Sequence, residues 1–123
     1  MVEFMLFPEE DALQIGQWCW SMTTPEVRKE LYIIPWFTED RATIYEYQVR
    51  PQLYFVFAHL LYDPLTKMWT LFTRRRAGGM IRYPGLSPTR NLQKILDFLW
   101  GADDAIFLER LPQHYPNPLT ELQ

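Results

Sequence analysis

Apolar residues recur along this chain with two periods, and the change of period divides it into elements. Over residues 9–22 (EEDALQIGQWCWSM), Ala12, Ile15, Cys19 and Met22 fall near helical spacing, with Trp18 and Trp20 beside the stripe. Pro8 suits the first turn of this helix, and Glu9, Glu10 and Asp11 complement the positive end of its dipole. Gly16 weakens it by roughly 1 kcal/mol of propensity. A second helix is expected from TTPEVRKELYIIP. Thr23 to Glu26 has capping-box spacing, Pro25 suits the first turn, Val27, Leu31 and Ile34 form an apolar face, and Pro35 ends it. PWFTEDR then reads as a turn or loop, and residues 2–7 as a short first strand.

The middle of the chain switches to a period of two. In ATIYEYQVR, Tyr45, Tyr47 and Val49 alternate with Ile44, Glu46 and Gln48, a half-buried strand. LYFVFAHLLY is apolar on both faces and predicts a central strand covered on both sides. DPLTK is a hairpin loop built on Asp63 and Pro64. MWTLFTRR is its antiparallel partner, with Trp69 and Leu71 pointing one way and Met68 and Phe72 the other. A short strand is expected around residues 80–83. LSPTRNLQKILDFLWG predicts a helix capped by Ser87, with Pro88 at its first position, Leu92, Ile95, Leu96 and Leu99 as its stripe, and Gly101 at its end. DAIFLERL reads as a final strand. Residues 1–111 thus form a single α+β domain, and residues 112–123 a proline-rich C-terminal tail. The fold class is a mainly antiparallel sheet of four or so strands with helices packed on one face, which a ferredoxin-like arrangement would connect.

Composition sharpens this picture in two places. At 123 residues and 48% hydrophobic content, one core suffices for the whole chain. Five tryptophans tilt it toward a partner-binding protein, because large aromatics dominate interface hot spots. The single cysteine, Cys19, excludes an intrachain disulfide and fits an intracellular location, cytoplasmic or nuclear. No leader is read in residues 1–7, where Glu3 stands in place of a positive charge. The apolar run at 53–62 is about half a membrane span.

Charge is the more informative quantity. The chain carries −3 overall, yet residues 64–96 hold Lys67, Arg74, Arg75, Arg76, Arg82, Arg90 and Lys94 with no acid. The first forty residues hold eight acids against Arg28 and Lys29. In TRRRAGGMIRYPGLSPTR, Gly78 and Gly79 permit a tight or left-handed turn, and a helix start at Ser87 and Pro88 would offer free N–H groups to an anion. Trp69, Phe72 and Tyr83 lie among the cations. The expected binding residues are Trp69, Arg74, Arg75, Arg76, Arg82, Tyr83 and Arg90, the arginines for charge and Trp69 and Tyr83 for anchoring.

The expected function is a non-enzymatic binding protein that meets an acidic protein surface through residues 69–90. A nucleic acid-binding module using the same loop is the alternative, and a plain solvated turn is the simplest account of the arginines. RRRAGGMIR lacks the Gly-Lys-Ser/Thr ending of a phosphate-binding loop, no RNP-type aromatic run is present, and a pI near 5.3 disfavours duplex binding. A small enzyme is the third possibility. Its candidates are poor: Cys19 sits between tryptophans as a buried thiol does, His59 lies mid-strand as a core or sheet-face histidine, and His114 is in the tail. The pairs Glu9/Glu10, Glu39/Asp40 and Asp103/Asp104 lie at helix starts or turns, where acids are solvated. No metal and no cofactor is expected.

Overall fold

The computed structural model describes residues 5–23, 30–50, 52–74, 79–100 and 112–113. The elements are α1 (Glu9–Met22), β1 (Leu31–Thr38), β2 (Arg41–Gln48), β3 (Leu53–Asp63), β4 (Met68–Arg74), β5 (Met80–Arg82), α2 (Leu92–Trp100) and β6 (Pro112–Gln113). The strands run in the order β1-β2-β3-β4-β5, all pairs antiparallel, and β6 pairs with β3 at Tyr54 and Phe55. The α+β class is as expected. The open sheet has five main strands rather than four, however, and neighbours in sequence are neighbours in space, so a ferredoxin-like crossover arrangement is not what connects them.

Three elements differ from expectation, each for a local reason. Residues 31–34 extend as part of β1, where a helix was expected, because Leu31–Thr38 pairs with β2 from Leu31 opposite Gln48 to Thr38 opposite Arg41. Its isoleucines and aromatics suit a pleated strand, and Pro35 is tolerated because β1 is an edge. The connection to β2 is only Glu39–Asp40. The other part of the expected helix, residues 24–29, lies outside the described residues. Residues 5–7 are bent rather than extended: the Leu6 N–H donates to the Glu39 carbonyl at 2.8 Å, and Phe7 inserts into the core. Finally, α2 begins at Leu92 and not at Pro88, because Thr89 is held in a two-way backbone bridge with Trp69 (2.7 and 2.9 Å) that keeps the chain extended there. Residues 104–111, expected as a strand, lie outside the described residues.

The edge strand β1 is protected from unwanted pairing. The Ile33 N–H donates to Thr23 Oγ1 at 3.1 Å, and that buried hydroxyl donates in turn to the Cys19 carbonyl at 3.0 Å. Together with Pro35, this blunts an edge that would otherwise template another strand. The opposite edge, β5, is only three residues long.

Alternation fixes which face each strand residue joins, and one irregularity resets it. Ile44 pairs with Ala58, but Tyr45 pairs with Val56, so Phe57 is an extra residue in β3. A bulge of this kind reverses the facing of the strand on either side of it. Ala58, Leu60 and Tyr62 therefore share a face with Ala42, Ile44, Trp69 and Leu71, where both helices pack. Tyr54 and Val56 lie on the other face with Tyr45 and Tyr47. Tyr54 packs against both of those rings, with centroids 6.0 and 4.6 Å away.

Trp69 stands at the centre of the helix-covered core and is fully buried. Its ring lies 5.0 Å from Phe7 and 5.1 Å from Tyr62, and its Nε1 donates to Asp11 Oδ2 in α1 at 2.9 Å. The stripe Leu92, Ile95, Leu96 and Leu99 of α2 closes the same core, as expected, and Gln14 of α1 bonds Gln93 of α2 at 2.7 Å.

A double-mutant cycle joining Trp69→Phe and Asp11→Ala is expected to give a coupling of about 1–2 kcal/mol in urea unfolding, since the bond is to a carboxylate. Additive effects would contradict it. Thr73 supplies a second check: its hydroxyl is buried on β4 with no hydrogen-bond partner among the described residues. Thr73→Val is expected to raise stability by about 1 kcal/mol, and a clear loss would show that the hydroxyl is satisfied.

Candidate functional site

Both helices pack on one face of the sheet, and no described helix covers the other. Register assigns the residues of that second face. Trp36 pairs with Thr43, Thr43 with His59, His59 with Phe72, and Phe72 with Arg82. These five form one transverse row across all five main strands. Adjacent strands lie about 4.8 Å apart, so successive side chains in the row are near neighbours. Thr43 is the buried member of the row, and its Oγ1 is hydrogen bonded to His59 Nδ1 at 3.2 Å, which fixes the imidazole's orientation. Trp36, His59 and Phe72 are half-buried and Arg82 is exposed.

The flanking rows extend the same chemistry. Ile34, Tyr45 and Val56 follow on one side, then Tyr32, Tyr47 and Tyr54; Thr38, Arg41, Leu61 and Thr70 follow on the other. Partial burial raises the Tyr54 phenol above its ordinary range, with neighbouring Tyr47 adding to the effect. The face thus offers flat rings, hydroxyls and two guanidinium groups. Among the described residues neither Arg41 nor Arg82 makes an ion pair. The face's acid, Asp63 at its corner, accepts the Leu65 N–H at 2.9 Å within the β3–β4 turn.

The expected binding residues separate on this structure. Arg82 reaches the face. Trp69 does not, because odd-numbered residues of β4 point toward the helices; it is a core residue and offers no surface for stacking. Tyr83 is likewise buried, packed on Phe98 at 4.9 Å, with Gly85 so close that a side chain there would strike its ring. Arg90 is exposed, its Nε donating to the Thr66 carbonyl at 3.0 Å, which ties it to the β3–β4 turn. Arg74 ends β4 opposite Met80; Arg75 and Arg76 lie outside the described residues. Gly79 adopts the left-handed backbone (φ 77°) that the loop was expected to need. With α2 starting at Leu92, no helix N-terminus stands at Ser87 and Pro88 to receive a phosphate.

Trp36 and Thr43 are not among the expected binding residues, because PWFTEDR has the chemistry of a turn or loop. The signal was present: Thr43, Tyr45 and Tyr47 alternate onto one face, and only the assignment of β1 as a strand adds Trp36 beside them.

Elsewhere, a cavity of about 600 Å³ lined by Glu30, Leu31, Gln48 and Arg50 presents charges of both signs. Among the described residues no three of His, Cys, Asp or Glu cluster as a metal site, and no helix is long and apolar enough to cross a membrane.

The chain belongs to the family DUF3024, a domain of unknown function, whose pattern matches residues 5–109. No curated protein and no solved structure matches it.

The one thiol is withdrawn from chemistry. Cys19 faces the core from α1, and burial pushes its pKa up to about 12 from an ordinary value of 9.0. In the folded state the proton is held more tightly than in the unfolded chain, so stability falls as pH rises from about 9 toward 12. At neutral pH the folded protein is expected to leave an aromatic disulfide reagent unreacted, while the denatured chain consumes one equivalent. Above pH 9, Cys19→Ala should lose stability less steeply than the native chain; parallel curves, or rapid modification of the folded protein, would contradict this burial.

Proposed function

We propose that this protein is a non-enzymatic binding module whose sheet face away from the two described helices takes single-stranded nucleic acid. The observation that carries the proposal is the transverse row Trp36–Thr43–His59–Phe72–Arg82. Single strands are held by rings that stack bases and by cations that meet phosphates, and both occur along this row. The half-buried His59 adds a polar ring that suits base edges rather than a wholly apolar partner. The chain's net charge of −3 disfavours duplex. Arg41 supplies a second cation on the same face, and in sequence Arg75 and Arg76 lie in the connection that leads from β4 to β5.

A non-catalytic role is supported by the burial of Cys19. An intracellular setting is part of this proposal and rests on the lone cysteine. An acidic protein surface is the second reading. It is favoured by the chain's own acidity, which repels nucleic acid, and by the tryptophan and arginine content typical of interface hot spots.

Fluorescence anisotropy with labelled single-stranded RNA and DNA of about ten nucleotides tests the proposal. Affinity is expected to fall steeply with salt. Phe72→Ala should weaken binding roughly 5- to 150-fold, the worth of one stacked base, and Arg82→Ala should reduce the salt slope by about 0.7. No binding at low salt, or binding that Phe72→Ala leaves unchanged, would overturn it and favour the protein reading.

A further inference from the structure

On the helix side of the molecule, a groove of about 560 Å³ runs along α1. It is lined by Met5, Glu9, Ala12, Leu13, Gly16, Gln17, Trp20 and Phe37. Its α1 members fall at i, i+3, i+4, i+7, i+8 and i+11, a continuous stripe beside the one that buries Ile15 and Cys19. α1 therefore has two apolar faces where a surface helix needs one. Leu13 and Trp20 are 59% and 61% exposed, the kind of apolar exposure that marks an interaction site when it is contiguous. Between them, Ala12 and Gly16 leave a notch: a Cβ added at Gly16 would meet nothing within 4 Å.

The rim of the groove is acidic. Glu9 lines it, Glu10 adjoins it, and the Glu39–Asp40 turn is held beside Met5 by the Leu6-to-Glu39 backbone bond. All four carboxylates are exposed, and α1 contains no basic residue. Asp11, by contrast, is engaged by the Trp69 indole. We infer that this groove docks a basic amphipathic helix of a protein partner. The partner's apolar side chains would fill the notch between Leu13 and Trp20, and its lysines or arginines would meet Glu9, Glu10, Glu39 and Asp40. Charge complementarity selects this occupant: an acidic helix or a nucleic acid would be repelled, and an apolar pocket rimmed by one sign of charge suits helix-in-groove recognition. This surface lies on the side of the sheet opposite the aromatic row, and the inference does not rest on the nucleic acid proposal.

The test uses the full chain and a labelled helical peptide of leucine and lysine, with leucines at i, i+3, i+4 and i+7, beside a second peptide carrying glutamate for every lysine. The lysine peptide is expected to bind, and the glutamate peptide to bind at least about tenfold more weakly. Gly16→Lys fills the notch and adds an opposing charge at a position where an added Cβ meets nothing within 4 Å. It should keep or improve folding, since lysine is the better helix former, yet weaken peptide binding about tenfold or more. Leu65→Lys places the same charge on the exposed β3–β4 turn (Leu65 is 92% exposed) and should leave binding unchanged. Binding unaffected by Gly16→Lys, or reduced equally by Leu65→Lys, would overturn the inference, because attraction would then be a property of net charge. Self-association of the chain that Gly16→Lys abolishes would also overturn it, by making a second copy the occupant.

Discussion

The hydrogen bond from Trp69 Nε1 to Asp11 marks the point where four segments converge. Trp69 is fully buried, and around it gather Phe7 from the N-terminal bend, Asp11 from α1, Tyr62 from β3 and Thr89 from the lead into α2. An indole buries more apolar surface than almost any other side chain, but its N–H must find an acceptor. Asp11 provides one from the first turn of α1, so the largest core residue also sets where that helix lies. The backbone bridge to Thr89 delays α2 until Leu92 and so aligns its leucine stripe with the same core. The outcome is a two-layer arrangement in which both described helices lie on one side of the sheet.

Charge is unequally distributed along the chain. The acidic first forty residues supply α1 and the β1–β2 turn, which rim the groove on the helix side. The basic stretch from 64 to 96 supplies β4, β5 and the first part of α2, bringing Arg82 onto the open face. Segregated charge of this kind acts on encounter and partner choice rather than on folding.

Much of this architecture was legible in the residues. The stripe from Ala12 to Cys19, the leucines of α2, the DPLTK turn and the alternation that sends Trp69 and Leu71 one way and Phe72 the other all appear as read. What misled was context. TTPEVRKE has the chemistry of a helix start, so the strand beginning at Leu31 was concealed behind it; pairing with β2 outweighed local propensity. Ser87 and Pro88 likewise resemble a cap, but the bridge to Trp69 took precedence. The bulge at Phe57 was invisible, because an unbroken apolar run carries no mark of where its facing reverses. The binding residues suffered most: Trp69 and Tyr83 were grouped with the arginines by nearness in sequence, whereas the sheet groups Arg82 with Phe72, His59, Thr43 and Trp36 by register.

The central claim is that the row on the open face, and not the helix side, receives the nucleic acid strand. Backbone amide chemical shifts followed by NMR during titration with a single-stranded oligonucleotide would test this most directly. The account predicts perturbations concentrated at Trp36, Thr43, His59, Phe72 and Arg82, with Leu13 and Gly16 unmoved. Shifts confined to α1, or spread evenly over both faces, would contradict it.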